Sequence, residues 1–327
     1  MVAGDTLYVG TRKGQILALE SATGKVKWQF PKDEDKNKIA LGSIYGTPSV
    51  VDGVIYFGAY NGKAYALDAA SGAPKWEYDT GESIVGTPVV ANGTVYIGSS
   101  DGKFYALDAI NGNWKWEFKA GDKIWSGAAI YGDLIYFGSM DHKLYALDAA
   151  TGVKRWESEA EAAVASTPLI DDQTIYVGSF DSRLYAIDAI TGQEKWHFKA
   201  GNWFWTRVVS SGDTIYAPSL DHKVYAIDAR SGEKKWEFKT DGPIHSWPVL
   251  IDGKLIVGSK DGTVYSLDVH TGAKKWGFPA GAEVLAPLAT DGKVIYVSNT
   301  KDVVYALEVE NGARLWEYPQ PESKTGK

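Results

Sequence analysis

Eight tryptophans set the rhythm of this chain. Trp28, Trp76, Trp116, Trp156, Trp196, Trp236, Trp276 and Trp316 recur, and from Trp76 onward every interval is 40 residues. The first interval is 48, because an eight-residue polar insertion rich in Lys and Asp lies around Lys32 to Ile39. A fixed period of this length means one supersecondary unit is copied, and each copy buries its apolar faces only against its neighbours. One unit, from Ile84, reads IVGTPVVANGTVYIGSSDGKFYALDAINGNWKWEFKAGDK. Its segments TVYIGS and KFYALD alternate and are rich in β-branched and aromatic residues, so they read as strands. Asn92-Gly93, Asp101-Gly102 and Asn111-Gly112 read as turns between them. No stretch reads as a helix of useful length. Four short strands in 40 residues, eight times over, predict an all-β, eight-bladed β-propeller with four antiparallel strands per blade. It spans residues 1–318 as a single domain, and residues 319–327 read as a disordered tail.

Lettered from the axis outward, Ile84–Ala91 is strand A, Thr94–Ser99 B, Lys103–Asp108 C and Trp114–Lys119 D. The chain carries eight B–C–D sets but seven complete A strands, since Met1 to Ala3 matches only the end of one. Either the first blade is incomplete or the sequence starts just inside a domain of a longer chain; the second is favoured. Chain direction puts the D–A and B–C connections on one face and the A–B and C–D turns on the other.

Composition removes several classes. With no cysteine, a disulfide scaffold, a thiol nucleophile and a cysteine-ligated metal are excluded. A net charge of -7 argues against nucleic acid as a partner. No apolar run is long enough for a membrane helix.

Around each ladder tryptophan stands a longer motif, A-x-D-x-x-[TS]-G-x-x-x-W, clearest at Ala146–Trp156 and Ala186–Trp196. It resembles the tryptophan-docking motif of the pyrroloquinoline quinone (PQQ) repeat family, over nearly the whole chain. The motif's physics is structural. The Asp series, Asp68 to Asp268, ends strand C, where a carboxylate accepts backbone N–H bonds from the turn. The glycine supplies a positive φ. The tryptophan lies between blades with its indole N–H bonded across the seam. Identical positions around a ring are architecture, not acid–base pairs. Glu20 and Glu308 replace Asp in the terminal copies, which predicts looser turns there.

Positions that break the repeat are the candidates for function, because no folding rule demands them. The A–B/C–D face is monotonous. On the other face, Val85 of one blade is matched by Tyr45, Trp125, Trp205 and His245, and Arg207 and Trp247 also interrupt the pattern. The B–C turns vary too, with Arg12, Tyr60, Met140, Phe180, Leu220 and Lys260 at one position. Tyr45, Trp125, Trp205, Arg207, His245 and Trp247 form the candidate patch, with Tyr60, Met140, Phe180 and Trp203 as its rim. Aromatic faces beside a cation hold a flat ligand or a partner's side chains. Arg207 suits a carboxylate, and His245 a hydrogen bond near neutral pH. The competing reading is that bulky groups plug a wide channel. His142 and His222 share a position with no third ligand beside them, so a metal is not expected.

The resemblance implies three functions. Quinoprotein alcohol dehydrogenases hold PQQ at the propeller mouth, stacked on a Trp and usually beside Ca²⁺. This chain lacks their adjacent cysteines and the long insertions that carry the calcium ligands and catalytic aspartate, so dehydrogenase activity is not expected. The propeller lipoproteins of outer-membrane barrel assembly are non-enzymatic scaffolds. Propeller sensor regions of larger proteins are the third. The expected function is a non-catalytic binding or scaffold propeller whose Trp-rich face takes a protein partner or a flat anionic small molecule. The alternative is a PQQ-binding sensor or dehydrogenase, with Ca²⁺ fitting less well than PQQ. The family implies a periplasmic, extracellular or cell-surface location.

Overall fold

The structure is a computed structural model and describes residues 1–35 and 39–320. The expected tail lies outside the described residues from position 321 on, and so does part of the insertion, residues 36–38. The fold is the expected one: eight four-stranded antiparallel sheets, each in simple chain order. In the third blade the strands are Val89–Ala91, Thr94–Gly98, Lys103–Asp108 and Trp114–Lys119. The first blade also has four strands; its inner one is the short Val2–Ala3, paired with Leu7 and Thr6.

Inner strands start later than the alternation suggested, at Val89 instead of Ile84. The reason is hydrogen bonding. The Ile84 N–H donates to the Ala59 carbonyl (3.1 Å), and the Ser100 N–H donates to the Ser83 carbonyl (2.9 Å). The D–A connection is thus bonded to the B–C turns of both blades it joins. The same bonds recur at Ile124 to Ser99 (3.0 Å) and Val164 to Ser139 (3.0 Å). With its polar groups satisfied this way, the segment has no need of a sheet partner.

One tryptophan bond recurs at every seam. The Trp76 indole N–H donates to the Ala109 carbonyl of the next blade (3.0 Å), and the Tyr56 hydroxyl donates to the same oxygen (3.0 Å). The other ladder tryptophans repeat this bond, from Trp28 to Ala69 (3.0 Å) round to Trp316, which reaches Ser21 (2.9 Å). The motif glycine has a second task besides its positive φ. A Cβ on Gly112 would sit 2.7 Å from the Trp76 ring, so only glycine lets the indole lie flat. The ring closes by this same packing: Leu7, Leu17 and Leu19 bury against Tyr296 and Trp316.

The C–D turns follow the carboxylate argument. Asp148 Oδ1 accepts from the N–H groups of Ala150 (3.2 Å) and Thr151 (3.0 Å). At Glu308 the longer arm instead accepts from the Asn311 side-chain amide (2.8 Å).

Candidate functional site

The D–A connections deliver one residue per blade to the channel mouth by alternation. Ile84, Ile124, Phe204 and Ile244 are fully buried between blades. The next residue in each faces the axis. The one after is small and packed: Ser126 Oγ donates to the Gly138 carbonyl (2.8 Å) and accepts from the Gly138 N–H (2.9 Å). The fourth returns to the channel, where Thr87 Oγ1 accepts from the Thr47 N–H (3.0 Å). An extended backbone has this two-residue period.

All seven residues at the axis-facing position, Tyr45, Val85, Trp125, Ala165, Trp205, His245 and Leu285, line one cavity of about 270 Å³. Trp247 lines it as well. The aromatic groups are in contact. Trp203 stacks on Phe180 (centroids 4.3 Å, 8°), and Phe180 on Trp205 (5.2 Å, 17°). Trp205 in turn meets Trp125 and His245, each at 6.3 Å. The Trp125 indole N–H is held by Ser100 Oγ (3.0 Å). At the rim, Tyr45 and Tyr60 meet edge to face (5.8 Å) and both are exposed.

Two candidates stand apart. Met140 is half-buried in its B–C turn and does not line the cavity. Arg207 is also half-buried outside the lining, at the repeat position that Thr87 and Thr167 occupy in other blades. Its Nε has no partner, and it makes no ion pair among the described residues. Burial holds its guanidinium below the ordinary arginine value. Sequence reasoning did not select Arg12, Thr87, Thr167 and Asp302, which do line the cavity. Arg12 was visible as a variable B–C turn residue; the threonines fit the repeat and carried no signal. Asp302, the single carboxylate in the lining, is tied to Lys13 (3.3 Å). His142 and His222 take left-handed turn positions (φ 75° and 73°). No cluster of three or more metal-ligating side chains occurs among the described residues.

One irregularity lies just behind the mouth. Ser126, Ser166 and Ser246 each accept the N–H of a glycine twelve residues on, but the partner of Thr206 is Pro218, which has no N–H. Thr206 Oγ1 is left buried without a partner. Thr206→Val is therefore expected to leave stability unchanged or raise it by about 1 kcal/mol, while Ser166→Ala costs about 1–2 kcal/mol. Urea denaturation of the two variants checks this.

His245 titrates low. Burial, then the nearby charge of Lys260, holds its imidazole below the ordinary histidine value against a smaller upward pull from Glu283. The unfolded chain thus binds this proton at a pH where the folded chain does not, and stability falls as pH drops beneath about 6.5. His245→Gln is expected to lose less thermal stability than the parent between about pH 7 and 5, as thermal melts across that range would show.

Known proteins with this geometry perform different tasks. The family described as outer membrane protein assembly factor BamB matches residues 34–125. No curated protein matches the chain. Among solved structures, BamB from Moraxella catarrhalis is 23% identical, with a TM-score of 0.78 over 93% of this chain and 91% of its own. The computationally designed Ika8 protein is 14% identical, with a TM-score of 0.82 over 94% and 95%. Quinohemoprotein alcohol dehydrogenase from Comamonas testosteroni is 16% identical, with a TM-score of 0.78 over 92% of this chain and 69% of its own. Identity this low establishes the fold alone, and the expected PQQ-repeat propeller is what these likenesses describe. A second family match, over residues 90–324, covers more than half of the sequence, and by it this chain belongs to the family described as beta-alanine-activating enzyme, beta-propeller.

Proposed function

We propose that this chain is a non-catalytic binding propeller whose mouth takes a flat aromatic group, free as a small anion or carried by a protein partner. The observation that supports this reading is the convergence of Trp125, Trp205, His245 and Trp247 from three blades onto one cavity. A planar ring slides between such faces and displaces poorly bound water. Arg12 lines the same cavity and offers a cation for a carboxylate. A protein partner presenting an aromatic side chain meets the same surface, flanked by the exposed Trp203, Tyr45 and Tyr60. The likeness to BamB, an outer membrane protein assembly factor, favours a periplasmic or cell-surface setting for such a scaffold.

PQQ is the second reading, favoured by the quinohemoprotein neighbour. A flat quinone anion fits the tryptophan faces and Arg12. A calcium-bridged one does not fit: Asp302 alone would supply a carboxylate, and Lys13 already holds it. Nor does any lining carboxylate stand free to take a proton from an alcohol.

The test is a titration of the protein with PQQ, with and without Ca²⁺, followed by tryptophan quenching and by dye reduction with an alcohol. Saturable, calcium-independent quenching without dye reduction supports the binding reading. Dye reduction overturns the non-catalytic part. Absence of quenching, together with equal recovery of partners from a periplasmic extract by the parent and Trp205→Ala proteins, removes the mouth as a binding surface.

A further inference from the structure

Neighbouring D–A connections are bonded to one another by a threonine. The Thr47 N–H donates to Thr87 Oγ1 (3.0 Å), and the Gly127 N–H donates to Thr167 Oγ1 (3.0 Å). In both bonds the hydroxyl stands 40 residues beyond the N–H, at the same position of the next blade. The connections pass close: a Cβ on Gly127 would lie 2.6 Å from Thr167 Oγ1.

The next step breaks the pattern. Forty residues beyond Thr167 stands Arg207, whose side chain has donors and no acceptor. The Thr167 N–H finds no partner among the described residues. The arginine is no better served. Its guanidinium makes no hydrogen bond or ion pair among the described residues, and its Nε is buried. Arg155, Arg183 and Arg314 each hold a carboxylate, while Arg12 and Arg230 are exposed. Arg207 is half-buried and unpaired. Burial alone moves its guanidinium downward, and no carboxylate acts against that shift. A cation withdrawn from water without a counter-charge is costly, and an anion relieves that cost.

We propose that Arg207 anchors an oxyanion site between the D–A connections of the fifth and sixth blades, taking a tetrahedral ion of the sulfate or phosphate type. The guanidinium fork holds two of its oxygens. A third takes, beside the Thr167 N–H, the place a threonine hydroxyl fills in other blades. A polyatomic ion is required, because the arginine fork lies several bonds from the Cβ that carries the threonine oxygen. The net charge of -7 offers anions no general attraction, so the attraction is local. The site is separate from the flat-ligand mouth, whose cavity Arg207 does not line, and each stands without the other.

The probe is sulfate, titrated into the protein by calorimetry, with chloride at matched ionic strength as the reference. The expected result is saturable binding of sulfate, at least about tenfold tighter than chloride. Arg207→Thr supplies the residue used in other blades. It is expected to fold, to melt above the anion-free parent and to bind sulfate at least about tenfold more weakly. Arg207→Met, which keeps the bulk without the charge, is expected to lose sulfate in the same way. Sulfate is expected to raise the melting temperature of the parent more than that of either variant, which separates a site from the general effect of the salt. Trp125→Ala, at the mouth, is expected to bind sulfate unchanged. The proposal is overturned if sulfate does not saturate, if chloride binds equally, if a folded Arg207→Thr or Arg207→Met binds as the parent does, or if Trp125→Ala abolishes binding.

Discussion

Replacing Trp76 with alanine is expected to cost about 3–5 kcal/mol of folding stability, the range for deleting a large buried aromatic. Trp76 is 9% exposed and fills the seam between the second and third blades. Little of the loss comes from its hydrogen bond, because the Tyr56 hydroxyl still donates to the Ala109 carbonyl. The loss is packing: the indole lies on Gly112, and no nearby side chain can collapse into the gap it leaves. Trp76→Phe keeps part of that contact and is expected to lose less. The control is Trp114→Ala on the outer strand, where the side chain is 55% exposed; a change within about 0.5 kcal/mol is expected there. Equal costs at the two tryptophans in urea denaturation would refute the seam account.

The largest effect on binding is expected at Trp205. It touches Phe180, Trp125 and His245, so it joins the rim stack to the cavity wall. Removing an aromatic platform costs roughly 1–3 kcal/mol of stacking, so Trp205→Ala is expected to weaken a flat ligand about 10–100-fold. Phe180→Ala is expected to do less, since Phe180 supports Trp205 from behind and does not line the cavity. Far-UV circular dichroism of both variants is expected to match the parent, because neither residue lies in a sheet. A Trp205→Ala affinity within about twofold of the parent would place the ligand elsewhere.

Most of the architecture was legible because its causes are local. Alternation, turn glycines and the carboxylate ending strand C act within a few residues, so forty letters suffice to read a blade. The inner strands were read too long because Ile84 to Pro88 look extended and apolar. Their bonds go to the turns of neighbouring blades, a partner no local pattern reveals. The mouth was partly legible. Repeat positions grouped Trp125, Trp205 and His245, and the three line one cavity, since equivalent positions in a ring face one axis. Arg207 was grouped with them two residues further along; Thr87, Thr167 and Trp247 at the equivalent position line the cavity and Arg207 does not.

By itself, the sequence determined the blade, its period and the seam, because every contact that builds them is repeated at a fixed spacing. Only the tertiary structure decided which irregularities meet. Glu161, Arg183 and His197 are scattered across two repeats, and each alone reads as a tolerated substitution. They share one groove because neighbouring blades press face to face, and that distance is set by closure of the ring and not by any rule acting along the strand.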